Sequence, residues 1–347
     1  MLTKFKQLSL ELLKAAGVFR LVQNGGRRRQ RLLILAYHGI SVDDEHHWNP
    51  GLYMATNLFR SRLQLLKDLD CAVLPLGEAL ERLSAESLPK RSVVLTFDDG
   101  NYDFYSQAYP ILREFNFPVT LYATTFYSYY NRPVFDVMCS YLLWKGRDRP
   151  LDLSQLTGQQ HRIDLRNADT RRKVTKELHQ LARARKLSAE EKDDLAGLIA
   201  RHLRIDYDAI IEKRLLQLLR PEEMNELALN GVDIQLHTHR HRTPLTRELF
   251  IREIEYNRAS IHQMTNCVAK HFCYPSGNYA PEFLPWLQEL QVVSATTCDA
   301  GFASMNSNPL LLPRLLDHSL FPAIEFEGWV TGVVPYHRLR RLVSNLT

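Results

Sequence analysis

Thr96-Phe97-Asp98-Asp99-Gly100 directly follows an apolar, β-branched run from Ser92 to Leu95. Such a run is typical of a buried strand, so the two carboxylates are predicted to stand at a strand end. A second segment repeats the arrangement, because His237-Thr238-His239-Arg240-His241 follows the apolar residues 232–236. Two adjacent carboxylates and two imidazoles spaced i, i+4 suffice to hold one divalent metal and leave one carboxylate free as a base.

Apolar runs alternate with helical patterns along most of the chain. We interpret as strands the runs 32–36, 72–74, 93–97, 119–123, 232–236, 271–274, 292–296 and 310–312. Helical patterns cover 58–69, 105–115, 221–229 and 251–264. The alternation predicts an α/β fold with a parallel sheet. Seven or eight such units favour a closed barrel over an open sheet.

Two stretches depart from this rhythm. The stretch from about 126 to 220 is rich in Leu, Arg, Lys and Glu, and Ser188-Ala189-Glu190-Glu191 resembles a capping box. We predict a largely helical insertion there, beside the barrel mouth.

Residues 1–31 form a basic segment ahead of the predicted domain, 32–347. An apolar stripe at helical spacing runs along that segment, formed by Phe5, Leu8, Leu12, Ala16 and Phe19.

The N-terminal stripe has two interpretations. It is either a helix lying on an anionic membrane surface or an amphipathic helix packed on its own domain. Residues 1–22 are interrupted by charges and lack the continuous apolar core of a secretory signal, so we expect a cytoplasmic protein. Nucleic acid is not expected as a partner, since no aromatic-interleaved basic groove accompanies the net charge of +5. The five cysteines are scattered and suggest neither disulfides nor a thiolate metal site.

The residues that could take part in catalysis or bind a metal all lie at the carboxyl ends of predicted strands. In a parallel α/β barrel these ends meet on one face, where active sites form. They are His38, Asp98, Asp99, His237, Tyr274-Pro275-Ser276-Gly277 and Arg314.

These residues suit hydrolysis of an amide or ester. If His237 and His241 lie on a helical turn, they share a face and reach one metal, with Asp99 as the oxygen ligand. A metal so bound polarises a carbonyl and lowers the pKa of water, while Asp98 takes up the proton. A protonated histidine is then needed for the leaving group. His239 is out of helical phase with the pair, and we expect it to support them or face outward.

Taken together, these segments resemble the polysaccharide deacetylase family, also called the NodB-homology or carbohydrate esterase family 4. The family's first motif is resembled by residues Thr96 to Gly100 of this chain, its second motif by His237 to His241, and its third motif by Phe272 to Gly277. The resemblance runs from about residue 35 to 315 and implies a distorted (β/α)7-type barrel. It implies Asp98 as general base and Asp99, His237 and His241 as ligands of a metal, usually zinc. It also implies that the backbone N–H of Ser276 faces the oxyanion.

Leu35-Ala36-Tyr37-His38-Gly39-Ile40 is similar to the start of members found with exopolysaccharide biosynthesis. In that branch an N-terminal histidine is the general acid, which points to His38. His318 is the competitor, and His38 could instead be a buried histidine bonded to a carbonyl. Leu312-Pro313-Arg314 also resembles this branch. From the resemblance we expect substrate contacts at Tyr37, Tyr274, Pro275 and Arg314, or an orienting role for Arg314 on a carboxylate. The family's usual arginine before motif three is replaced by Cys273.

The implied activity is metal-dependent removal of an N-acyl group, acetyl foremost, from an amino sugar in surface glycan biosynthesis. The expected substrate is a glycan or a lipid-linked saccharide at the inner membrane face. A deformylase of a lipid-linked formamido sugar would use the same site. A non-catalytic glycan-binding relative and a metal-free amidohydrolase are two further hypotheses, and the complete set of metal ligands counts against both.

Overall fold

The computed structural model describes residues 2–152 and 162–334, so 153–161 and 335–347 of the predicted domain lie outside the described residues. The chain alternates strands with helices, as predicted. The strands are β1 Leu33–Tyr37, β2 Gly39–Ile40, β3 Tyr53–Met54, β4 Val93–Phe97, β5 Thr120–Ala123, β6 Leu151–Asp152, β7 Arg162–Ile163, β8 Asp233–Leu236, β9 His271–Cys273, β10 Ser294–Thr296 and β11 Leu315–Leu316.

Seven of these strands form one parallel sheet in the order β10-β9-β8-β5-β4-β1-β11. Residues 309–316 join its two edges: Leu312 donates to the Ala295 carbonyl of β10 over 2.8 Å, whereas Leu315 pairs with Leu35 of β1. Pro313 lies between them and has no N–H for a ladder, which accounts for the switch of partner. The predicted distorted (β/α) barrel is confirmed.

Two predicted strands are shorter than expected. The run 310–312 pairs with β10 through a single bridge at Leu312, and the strand proper begins at Leu315. The run 72–74 is reduced to one bridge, from Val73 to Val93. Pro75 follows it and starts the next helix.

The helices lie outside the sheet, and five of those in the described residues were not predicted: 26–29, 45–48, 76–84, 283–289 and 323–331. They are α1 Leu2–Ala15, α2 Val18–Asn24, α3 Gly26–Arg29, α4 Glu45–Trp48, α5 Thr56–Asp68, α6 Leu76–Ser84, α7 Tyr109–Phe115, α8 Phe135–Lys145, α9 Ala168–Ala184, α10 Ala189–His202, α11 Tyr207–Glu212, α12 Pro221–Leu229, α13 Arg247–Thr265, α14 Phe283–Glu289 and α15 Ala323–Thr331. The predicted helix at 105–115 begins as a π-helical turn, Phe104–Ala108.

The strand side chains alternate between two apolar layers. Leu33, Leu35 and Tyr37 of β1 pack outward in the main core beneath the helices. Ile34 belongs instead to an inner cluster with Val94 and Tyr122 of the neighbouring strands. Successive side chains of a strand point to opposite faces. The parity of a residue, that is, whether it occupies an odd or an even position along its strand, therefore tells whether its side chain faces the barrel interior.

The predicted insertion has a core of its own. Helices α8 to α11 lie within it, and their buried side chains form a separate cluster that also includes Tyr53. The predicted capping box is present, since the Ser188 hydroxyl accepts the Glu191 N–H and the Glu191 carboxylate accepts the Ser188 N–H. Tyr141 and Lys145 of α8 bond Asp44, which ties the insertion to the loop that follows His38.

The N-terminal helices pack on α15 in an unexpected orientation. Leu10 and Phe19 join the main core, and Lys6 and Lys14 form ion pairs with Glu325 and Glu327. The rest of the predicted stripe points away from the domain: Phe5, Leu8 and Leu12 are 75%, 59% and 64% exposed. Among the described residues, no helix combines the length and apolarity needed to cross a bilayer.

Candidate active site

The candidate catalytic and metal-binding side chains occupy inward-facing positions at the ends of their strands. His38 continues the inward series of β1, Asp98 that of β4, and His237 that of β8, each just beyond the carboxyl end of its strand. The parallel strands end at one rim, so these side chains converge there. His38 Nε2 lies 3.8 Å from Asp98 Oδ2.

Asp99 and two histidines form a compact donor set. Asp99 Oδ1 lies 3.3 Å from His237 Nε2 and 3.3 Å from His241 Nε2. This oxygen is buried and has no hydrogen-bond partner among the described residues. His237 Nδ1 lies 2.9 Å from the Cys273 carbonyl oxygen, which only accepts, so Nδ1 carries a proton and the ring is held with Nε2 toward Asp99. One carboxylate oxygen and two imidazole nitrogens, one of them oriented in this way, fit a divalent metal such as zinc.

A loop, and not the expected helical turn, brings the two histidines together. Residues 237–241 have no helical assignment, and Thr238 and His241 have left-handed backbones with φ of 63° and 53°. A β-branched residue with positive φ is strained, and such strain concentrates at functional sites. The Thr238 hydroxyl accepts the Arg242 N–H over 3.0 Å and holds the loop. The helical explanation for the i, i+4 pair is therefore wrong.

Asp99 also requires a left-handed backbone, with φ of 74°. Its carbonyl accepts both the N–H and the hydroxyl of Thr124, at 3.1 and 2.9 Å. Burial alone would raise the pKa of Asp99, but the neighbouring His241 and His237 outweigh it and lower the pKa below its usual range. The carboxylate is therefore ionised and ready to act as a ligand.

Asp98 is fixed by an arginine from the far end of the domain. Arg314 Nη1 and Nη2 each lie 2.7 Å from one Asp98 oxygen, and both residues are buried. Two parallel charge-assisted hydrogen bonds set both the position and the plane of the carboxylate. Burial opposes ionisation, yet Arg314 outweighs it and lowers the pKa of Asp98 to about 2. Arg314 Nη2 also lies 3.0 Å from Cys273 Sγ, so it supplies a cation beside the position where the family's usual arginine is missing.

The two candidate acids differ in their surroundings. The His38 ring faces Asp98, and no protein atom in the described ranges bonds its Nδ1, which disfavours a structural histidine bonded to a carbonyl. His318 Nδ1 instead accepts the N–H of Leu320 over 3.2 Å, and its ring packs near Phe321. Geometry therefore favours His38 as the acid.

Ser276 lies in the tight turn that follows β9. Its backbone is left-handed, with φ of 55°, within the 3₁₀ turn Pro275–Gly277. A Cβ at Gly277 would lie 2.7 Å from Cys298 Cβ, so the turn tolerates only glycine at that position. The turn begins two residues after Cys273, whose carbonyl holds His237.

The residues expected to contact substrate are buried in the structure. Tyr37 and Tyr274 have outward parity and pack in the main core, where the Tyr274 hydroxyl donates to the Leu310 carbonyl. Pro275 is buried as well. Arg314 has no exposed side-chain surface and its guanidinium binds Asp98, which is the carboxylate-orienting arrangement expected as the alternative.

Sequence reasoning missed two supports on helix α13. Asn257 Oδ1 accepts the His237 N–H over 2.9 Å, and Glu253 binds the backbone N–H of Arg240 over 2.9 Å. Both are polar residues at buried helix positions, in phase with Phe250 and Ile261. That mismatch between residue type and helical phase is the signal that could have identified them. His239, expected to be a support, pairs with the Thr125 hydroxyl over 2.8 Å.

Solved structures share this fold. The deacetylase PplD of Streptococcus pyogenes, determined in complex with acetate, superposes with a TM-score of 0.57 at 22% identity, over 88% of this chain and 99% of that chain. IcaB from Ammonifex degensii superposes with a TM-score of 0.52 at 15% identity, over 87% of this chain and 97% of that chain.

Sequence comparisons agree with the motif-based recognition. A poly-beta-1,6-N-acetyl-D-glucosamine N-deacetylase of Staphylococcus epidermidis (strain RP62A) is 36% identical over 67 residues, 19% of this chain and 23% of that protein. One from Staphylococcus aureus (strain MSSA476) is 39% identical over the same length, again 19% of this chain and 23% of that protein. The match therefore spans less than a quarter of these curated relatives. The polysaccharide deacetylase model matches residues 85–185 and 195–295. Since that model covers more than half of its residues, this chain belongs to the polysaccharide deacetylase family.

Proposed function

We propose that the protein is a metal-dependent hydrolase that removes an N-acetyl group from an amino sugar of a surface polysaccharide or its lipid-linked precursor. One observation carries the proposal: the carboxylate of Asp98, locked by Arg314, stands beside the donor set of Asp99, His237 and His241. The activity for which the staphylococcal relatives are named supports a polymer of N-acetylglucosamine as the substrate class.

Asp99, His237 and His241 would hold the metal, for which zinc is our proposal. A zinc ion there supplies a Lewis acid that polarises the acyl carbonyl and makes water more acidic. Three protein ligands leave further coordination positions open, which is typical of catalytic and not of structural zinc sites.

The remaining residues move protons and bind charge. Asp98 is ionised and oriented, so it accepts a proton from the attacking water. His38, on the adjacent strand, donates a proton to the departing nitrogen. The backbone N–H of Ser276 donates to the oxyanion of the tetrahedral intermediate. Asp98 and His38 are assigned these roles because their side chains face the barrel interior. Ser276 is assigned its role because it lies in the turn that follows β9.

The released acid tests the proposal. Purified protein is incubated with zinc and N-acetylated glucosamine oligomers or lipid-linked glycan extracts, and acetate and formate are quantified by mass spectrometry. We expect acetate from the amino-sugar pool, lost on chelation and restored by zinc. Formate in its place would identify a deformylase. Release of neither acid by zinc-loaded protein would contradict the proposal and favour a glycan-binding relative.

We also propose that residues 1–31 contact an anionic membrane, at its cytoplasmic face. The segment has eight Lys and Arg residues against one acidic residue, Glu11. Lys6 and Lys14 pair inward with α15, whereas Phe5, Leu8, Leu12 and Leu21 of α2 face solvent. An exposed apolar face on a segment of net positive charge suits a lipid interface. Contact there would bring a lipid-linked substrate near the enzyme.

Replacing Leu8 and Leu12 together by Gln is expected to weaken binding to anionic vesicles at least about tenfold, because two apolar side chains no longer enter the lipid. Co-sedimentation with phosphatidylserine-containing vesicles measures the effect. Leu245→Gln, at a leucine 75% exposed elsewhere on the surface, is the matched control and should bind like the wild type. Equal vesicle binding by all three proteins would rule out this contact.

A further inference from the structure

Helix α13 contributes no candidate metal ligand, yet it bonds the ligand loop at several points. The Asn257 side chain is completely buried, and its Oδ1 accepts the backbone N–H of His237 over 2.9 Å. Its Nδ2 donates to the Ala123 carbonyl at the end of β5, over 2.9 Å, and to the Thr125 hydroxyl, over 3.1 Å. One amide thus joins the His237 segment to the neighbouring strand end.

Glu253 lies one helical turn before Asn257 and holds the other part of the loop. Its carboxylate accepts the Arg240 N–H over 2.9 Å and pairs with the side chains of Arg240 and Arg242, at 3.2 and 2.8 Å. Its backbone carbonyl also accepts the His239 N–H over 3.0 Å. Glu253 is 1% exposed, so this carboxylate is committed to the loop and not to solvent.

These bonds bracket both metal-binding histidines. Asn257 fixes the backbone of His237 itself, and Glu253 fixes residues 239, 240 and 242 around His241. The loop needs such support, since Thr238 and His241 have left-handed backbones that the chain would not adopt unaided. Groups that orient metal ligands typically change metal affinity about 10- to 100-fold when removed.

We propose that Glu253 and Asn257 are positioning residues that set the geometry of the metal site, so that helix α13 determines metal affinity without supplying a ligand. The inference rests on the proposed metal-dependent function and deepens it. A purely structural pair would affect stability alone, whereas a positioning pair also changes how the metal is held.

The test is metal binding by the full-length protein. Asn257→Leu removes the acceptor for His237 and the donor to Ala123, and Glu253→Gln keeps the volume and one acceptor. We expect zinc affinity, from competition with a chromophoric chelator, to fall about 10- to 100-fold in both variants. The visible spectrum of the cobalt-substituted protein should shift, reporting altered ligand geometry.

Arg258→Met is the matched control on the same helix. Arg258 donates to the Ala269 and Leu290 carbonyls, at 3.0 and 2.9 Å, and touches neither histidine. Its loss should lower Tm and leave zinc affinity and the cobalt spectrum unchanged. If Asn257→Leu fails to fold, Glu253→Gln carries the test. Wild-type affinity and spectrum in the folded variants would overturn the inference alone, whereas a wild type that binds neither metal would overturn the proposed function as well.

Discussion

Asp98→Asn is expected to lower kcat/KM for acid release by about 10³-fold, within the range that general-base catalysis contributes. The amide is nearly isosteric with the carboxylate but has no oxygen basic enough to accept a proton from water. The native carboxylate is ionised at neutral pH because Arg314 holds its pKa at about 2. Hydrolysis therefore loses its base while the donor set of Asp99, His237 and His241 stays intact.

The variant must be shown to fold and to bind metal. The neutral amide leaves the buried Arg314 charge without its counterion, which costs stability, so Tm and zinc content are measured together with the rate. Combining Asp98→Asn with Arg314→Met removes that uncompensated charge and should recover Tm but not activity. His38→Gln should also lose most activity, whereas His318→Gln should retain it. Near wild-type turnover by folded Asp98→Asn would refute the assigned base.

His237→Ala is expected to abolish stoichiometric zinc binding and, with it, acid release. The variant loses one of three protein ligands, and the Nε2 that it removes is the one oriented by the Cys273 carbonyl. Losing a ligand should weaken affinity by more than the roughly 10- to 100-fold typical of losing a group that merely orients one. Zinc per chain, measured by atomic emission after gel filtration, should fall from about one to near zero.

His239→Ala is the control for this substitution. His239 lies in the same loop, but its Nδ1 pairs with the Thr125 hydroxyl and it is not part of the donor set of Asp99, His237 and His241. We expect this variant to keep stoichiometric zinc. Retention of one tightly bound zinc by His237→Ala, with the fold intact, would mean that the metal is held elsewhere.

Much of the site was predictable because strand geometry is local. The apolar runs before Asp98 and His237 predict strands, and the parallel barrel brings their ends to one face. Residue parity along β1 separates inward His38 from outward Tyr37, and it explains why Tyr37, expected to contact substrate, packs in the main core. The loop conformation at Thr238 was not predictable, since nothing about a threonine favours a left-handed backbone.

The sequence by itself determined most strands of the parallel sheet, the order of the motifs and the set of residues proposed to bind the metal. These depend on side-chain periodicity and on residue chemistry, which are properties of short segments. Only the tertiary structure decided that Arg314 binds Asp98 across 216 residues and that Asn257 holds His237. It also decided that helix α1 turns Lys6 and Lys14 toward Glu325 and Glu327, and Phe5, Leu8 and Leu12 outward. Each of these depends on which surfaces meet once the barrel has closed, and no local pattern encodes that meeting.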